Sequence, residues 1–197
     1  MSFVVFEGVD GAGKSTQAFL LKTHLEAKGY EVYLTKEPTD EIIGSLIRKA
    51  LQGKLKTDTN TLALLFAADR MFHTENMIKR LLDNGVIVIS DRYRLSSYAY
   101  QSLEVDLEWV KKINEKSLSA DVTFVLDVPA FICMRRLKKQ RFHFELYENE
   151  EKLEKVREKF IELAKEEKCA FIIDGNRPKE IVSEEIFQYL IEYQQKI

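Results

Sequence analysis

Five short apolar runs punctuate the chain: Phe3 to Phe6, Val32 to Leu34, Val86 to Ile89, Val122 to Leu126 and Phe171 to Ile173. None alternates apolar with polar residues, so each predicts a strand buried on both faces, as in a parallel sheet covered by helices. The segments between them carry helical spacing, at Ser15 to Lys28, Ile42 to Leu51, Thr61 to Leu82 and Lys152 to Glu167. A last helix is predicted over Pro178 to Gln195, where Val182, Ile186, Tyr189, Leu190 and Tyr193 share a face and Pro178 suits the first turn. Alternation of strand and helix implies an α/β fold, a three-layer doubly wound domain with a five-stranded parallel sheet. No repeat, low-complexity tract or Gly/Pro/Ser linker interrupts it, so residues 1–197 are expected to form a single domain.

Composition adds exclusions. A length of 197 residues with 45% hydrophobic content suits one core, and a net charge of -2 gives no reason to expect a nucleic-acid polymer as partner. Cys133 and Cys169 stand in apolar stretches without metal-ligand spacing and are expected to be reduced core thiols. The chain opens directly into a strand-like run, with no leader pattern and no apolar stretch of spanning length, which predicts a cytoplasmic protein without a membrane partner.

The first strand runs into Gly8-Val9-Asp10-Gly11-Ala12-Gly13-Lys14-Ser15-Thr16, with a helix directly behind. This is the P-loop pattern in its required context: glycines let backbone N–H groups close around phosphates, and the helix N-terminus adds a favourable dipole. Lys14 is expected to reach the β- and γ-phosphates of ATP, and the Ser15 hydroxyl to ligate Mg²⁺. After the third strand, Asp91 is placed to act through water on Mg²⁺, and Arg92 to grip a second phosphate with two parallel hydrogen bonds. If a helix follows, Tyr93, Ser97 and Tyr100 share a face that could wall a nucleoside. Upstream, Phe66 and Arg70 at i and i+4 offer a ring for stacking and a guanidinium for a carbonyl.

Taken together, Glu7 to Thr16, Glu37-Pro38, Phe66 with Arg70, the stretch from Asp91 to Gln101 and Leu126-Asp127-Val128-Pro129 resemble the thymidylate kinases in order and spacing. The resemblance covers nearly the whole chain. It implies phosphorylation of dTMP to dTDP by ATP and Mg²⁺, in dTTP biosynthesis, by a homodimer packed through helices. It further implies that Asp10 orients the deoxyribose near its 3'-hydroxyl and that Arg92 holds the dTMP phosphate. Phe66 would stack on thymine, Arg70 bond O4, Ser97 lie near N3 and Tyr100 crowd the 2' position. Glu37, Arg48, Gln101 and Glu145 join the acceptor side by the same resemblance. Arg135 would open a short lid, over about residues 135–146, and lie on adenine.

Two departures qualify that picture. The lid reads Arg141-Phe142-His143-Phe144-Glu145, without the acidic residue and second arginine usual there, and the P-loop has Gly11 and Ala12 where some members place an arginine. The missing positive charge is then expected from the lid, with Arg135, Arg136 and Arg141 as candidates. Two other readings remain open at this stage: another small-acceptor P-loop kinase, and a non-catalytic ATP-binding switch.

Overall fold

The computed structural model describes residues 2–140 and 150–194. In chain order the elements begin with β1 (Phe3–Glu7), α1 (Lys14–Ala27), β2 (Val32–Lys36), α2 (Ile42–Leu51) and α3 (Thr59–His73). A π-helical turn (Thr74–Ile78) joins α3 to α4 (Lys79–Asp83), and β3 (Ile87–Asp91), α5 (Arg94–Gln101) and α6 (Leu107–Asn114) follow. The chain continues through β4 (Val122–Asp127), α7 (Ala130–Gln140), α8 (Glu150–Glu166), β5 (Ala170–Asp174) and α9 (Lys179–Gln194).

The sheet is five-stranded and parallel throughout, in the order β2-β3-β1-β4-β5. Period-2 alternation assigns its side chains to two covered faces. Val4, Phe6 and Ile89 meet Ala18, Leu21 and Leu25 of α1, whereas Phe3, Val5 and Val88 form a second cluster with Ile78 and Tyr93. Burial on both sides is why β1, β3 and β4 read as unbroken apolar runs; the edge strands β2 and β5, expected to be covered likewise, are only partly buried because each has a neighbour on one side alone. The strands extend past those runs at their carboxyl ends, taking in Glu7, Asp91, Asp127 and Asp174. The edge where open α/β sheets bind ligands is thus lined with acids.

The long helical segment expected from Thr61 begins at Thr59 instead, because the Asp58 carboxylate accepts the Thr61 N–H at 2.9 Å and caps the first turn. It continues through the π-turn to Asp83 rather than as one regular helix. The charged stretch expected to open a lid at Arg135 is helical through Gln140, as the last turns of α7. The remainder of that lid, 141–146, lies outside the described residues. Among the described residues no helix is long and apolar enough to cross a membrane.

Candidate active site

Between β1 and α1 the chain wraps tightly, with Gly8 at φ 134, Gly11 at φ 82 and Gly13 at φ 103. A side chain at Gly11 would be strained by that φ and would also place its Cβ 2.7 Å from the Cys133 carbonyl oxygen of α7. Lys14 opens α1, whose start carries no side-chain cap, so its first N–H groups are presented to the cavity. The Lys14 ammonium is almost completely buried and donates to the Val9 carbonyl at 2.8 Å. Burial, reinforced by the nearby Arg92 charge, lowers its pKa. The Ser15 hydroxyl donates to the Asp91 carboxylate, which joins the two expected metal-side groups across 76 residues of sequence. A cavity of about 530 Å³ opens over this loop, walled by Asp10 to Gln17 and, from the far side, by Arg136, Leu137, Gly175, Arg177 and Lys179.

The turn after β3 is shaped by Glu7. Its carboxylate is fully buried and accepts from the Tyr93 N–H at 2.9 Å, the Ser96 N–H at 3.1 Å and the Ser96 hydroxyl at 2.5 Å. It therefore caps α5 from another element. Desolvation nevertheless pushes its pKa above the ordinary carboxylate value. Just before the cap, Arg92 has φ 74, a left-handed conformation that a side-chain-bearing residue keeps only when its surroundings enforce it. Its Nη1 donates to Ser96 Oγ at 2.8 Å and Gly8 O at 3.3 Å, and its Nη2 to Asp10 Oδ1 at 2.7 Å and the Tyr100 hydroxyl at 3.4 Å. Burial opposes the Arg92 charge, but Asp10, Tyr100 and Asp91 outweigh it and hold the pKa well above the usual value. Burial likewise raises the Tyr100 pKa, keeping that phenol neutral.

A second cavity, of about 220 Å³, adjoins the first and shares Asp10, Lys36, Glu37 and Arg92 with it. Phe66, Arg70, Ser97, Tyr100, Gln101 and Arg48 also line it. Arg70 is buried against the wall with all three of its side-chain nitrogens engaged. Its Nε donates to Glu37 Oε2 at 2.9 Å, with Nη2 in ion-pair contact with the same oxygen at 2.8 Å; Nη2 donates to the Tyr93 carbonyl at 3.1 Å, and Nη1 to Ser97 Oγ at 3.1 Å and to Asn114 Oδ1. The Ser97 hydroxyl that Arg70 meets lies on the wall of this cavity. Glu37 spends its other oxygen on His73 Nδ1 at 3.1 Å, so both its oxygens serve protein groups. It holds Arg70 in place. Arg48 turns back to donate to the carbonyls of Pro38 and Thr39, next to the cis Glu37–Pro38 bond. Gln101 is buried, and its Oε1 has no hydrogen-bond partner among the described residues.

Tyr93 stands just before α5, where Glu7 accepts its N–H, yet it lines the same cavity as Ser97 and Tyr100. Its ring lies edge-on to Phe3 at 5.0 Å, and it backs the cavity as part of the core. Arg135 is exposed and lines neither cavity. One residue on, Arg136 donates from Nη1 to Gly11 O at 3.2 Å and Ala12 O at 3.4 Å, and from Nη2 to Gly175 O at 3.4 Å. The sequence points to the basic cluster but not to which member faces the loop, since that depends on the rotation of α7. Arg141 and Glu145 lie outside the described residues. Asn114 was not legible as a site residue at all: it sits on α6, a short charged helix, and its amide is aligned toward Arg70 by an Nδ2 bond to the Val110 carbonyl at 2.8 Å.

A P-loop at the carboxyl edge of a parallel sheet, facing a smaller cavity across a half-buried arginine, defines a kinase for small phosphorylated acceptors. The thymidylate kinase family model matches residues 6–186. A probable thymidylate kinase of Thermococcus kodakarensis is 46% identical over 171 residues, covering 82% of this chain and 83% of that protein. Those of Methanocaldococcus jannaschii and Methanosphaera stadtmanae are 40% and 39% identical, with coverage of 95% and 97% of this chain and 95% and 98% of theirs. The chain belongs to the thymidylate kinase family.

Proposed function

We propose that the two cavities are the donor and acceptor halves of one active site in which ATP phosphorylates dTMP to dTDP, supplying dTTP biosynthesis in the cytoplasm. The observation that carries this reading is Arg92, which belongs to both cavities and is locked to Asp10 between them. An acceptor phosphate held by Arg92 lies beside the loop that holds the γ-phosphate. The dTMP phosphate oxygen attacks the γ-phosphorus in line, the bond to the β-phosphate oxygen breaks and ADP leaves, while Lys14 and arginines absorb the developing charge. Mg²⁺, when bound, supplies charge neutralisation on the phosphates; the Ser15 hydroxyl and Asp91 carboxylate, oxygen ligands in mutual contact, fit it. Phe66 offers a face to the base, and Gln101 Oε1, without a hydrogen-bond partner among the described residues, offers an acceptor to a ring N–H. Tyr100, whose hydroxyl meets Arg92 and the Asp10 N–H, fills the space expected beside the sugar.

The homodimer fits the same reading. Leu64, Ala68 and Phe72 recur at every fourth residue on the exposed face of α3, and α2, packed on α3, exposes Ile42 and Leu46. Leu64→Glu should raise the monomer fraction in sedimentation. The activity itself is tested by ADP release with dTMP, dUMP, dCMP, dGMP, AMP and thymidine as acceptors. A preference for any acceptor other than dTMP overturns the assignment.

A further inference from the structure

Gln17, in the first turns of α1, is 5% exposed and lines the phosphate-loop cavity. Its Nε2 donates to the Lys179 carbonyl at 3.0 Å, which fixes the amide, because the flipped orientation would set two acceptor oxygens against each other. Its Oε1 is left shielded from solvent and has no hydrogen-bond partner among the described residues. A buried acceptor in that state is unfavourable until a donor arrives, so the site asks for a ligand N–H or O–H at this point.

The cavity narrows the choice of donor. One side is the loop from Gly11 to Ser15, whose N–H groups and lysine suit phosphate oxygens. The other is walled by Gly175, Arg177 and Lys179, on the connection from β5 to α9, and Gln17 is bonded to that wall. With the phosphates anchored on the loop, the nucleoside end of the donor is what extends toward this wall. We propose that Gln17 Oε1 accepts a hydrogen bond from the 6-amino group of adenine, and that Gln17 thereby selects ATP over GTP. Guanine carries a carbonyl oxygen at the corresponding position and would set acceptor against acceptor. The inference rests on reading this cavity as the donor-nucleotide site.

Its test is calorimetric binding, without acceptor, of ATP, GTP and purine riboside triphosphate, which lacks the 6-amino group, to wild-type protein and to Gln17→Leu. The wild type should bind ATP about tenfold more tightly than purine riboside triphosphate, the size of one buried hydrogen bond. Gln17→Leu should bind the two alike and lose its preference for ATP over GTP by a similar factor. Equal wild-type affinity for ATP and purine riboside triphosphate, as a ribose hydroxyl donating to Gln17 would give, overturns the proposal without recourse to any variant. So does a Gln17→Leu protein that binds all three more weakly with their ratios unchanged, the signature of a purely structural role. If the wild type binds no ATP, or if Lys14→Ala binds it undiminished, the site reading itself fails and the proposal with it.

Discussion

The Glu7 carboxylate accepts the Tyr93 N–H at 2.9 Å across 86 residues of sequence, and so ties the strand that feeds the P-loop to the turn that presents Arg92. Through the Ser96 hydroxyl, which donates to Glu7 and accepts from Arg92 Nη1, the same carboxylate orients the guanidinium. Because burial raises its pKa, Glu7 contributes stability fully below the unfolded value of 4.5 and loses it as pH rises through the higher folded value. Glu7→Gln removes that loss along with some hydrogen bonding. The difference in Tm between wild type and variant should therefore shrink as pH rises above 4.5, and thermal melts from about pH 4 to 8 check the sign. A difference that widens over that window contradicts the assignment.

Lys14→Ala should fold normally and lose at least about two orders of magnitude in turnover, because its charge contact to the transferring phosphate disappears. The one hydrogen bond its ammonium makes among the described residues, to the Val9 carbonyl, lies within the loop, and a circular dichroism melt beside the steady-state assay separates lost chemistry from lost structure.

Gly44 sits inside α2 where a Cβ would fall 2.0 Å from the Thr39 carbonyl oxygen, a contact with rigid backbone. Gly44→Ala must push α2 away from the loop carrying Pro38 and Thr39, to which Arg48 is bonded. Overpacking of this kind is expected to cost about 1–3 kcal/mol and to raise KM for dTMP more than KM for ATP. Denaturant melts and the two KM values are the measurements.

Arg70→Ala is expected to be destabilising by about 3–5 kcal/mol, because it leaves the buried Glu37 carboxylate without its guanidinium. Asn114→Ala is the milder probe of the base site, since it removes one support and leaves Arg70 paired with Glu37. It should raise KM for dTMP and dUMP together, as both carry the O4 carbonyl, with the preference for dTMP over dUMP staying at the 1 to 3 kcal/mol or so that one methyl contributes. A change confined to one of the two acceptors would place Asn114 at the methyl pocket instead.

What was legible in the chain and what was not follow from the range of the interactions. The P-loop could be read because its glycines, lysine and serine are consecutive and their geometry is local. The three inner strands could be read because burial on both faces leaves an unbroken apolar run, though that rule stopped short of Glu7 and Asp91, which lie at the carboxyl ends where the chemistry is. Glu37 was expected on the acceptor side, and it does line that cavity, but its oxygens also hold Arg70 and His73, the latter 36 residues distant and on a different element. Partners of that kind are set by packing, and no spacing in the sequence encodes them.

The charge missing from the P-loop gives the last prediction. Gly11 and Ala12 carry none, and the expected remedy was a lid arginine, with Arg135, Arg136 and Arg141 as candidates. Arg135 is exposed, whereas Arg136 bridges the carbonyls of Gly11, Ala12 and Gly175 and lines the donor cavity. Two effects can follow from that position. If Arg136 only braces the loop, Arg136→Ala lowers Tm and raises KM for ATP while kcat survives. If its guanidinium turns from those carbonyls to the transferring phosphoryl group, kcat itself falls, and arginines acting on such transition states are worth about 10³ to 10⁵. Long, weak bonds of 3.2 to 3.4 Å to three carbonyls favour the second outcome, because a phosphate oxygen is the stronger acceptor and their loss is small. Arg136→Ala should therefore lower kcat by roughly a hundredfold or more, allowing for substitution by neighbouring cations. Arg135→Ala should stay within about 0.5 kcal/mol of wild type in stability and near normal in turnover. Steady-state kinetics at saturating ATP and dTMP decide it: near-normal kcat in Arg136→Ala would leave the charge to Arg92, Lys14 and Mg²⁺.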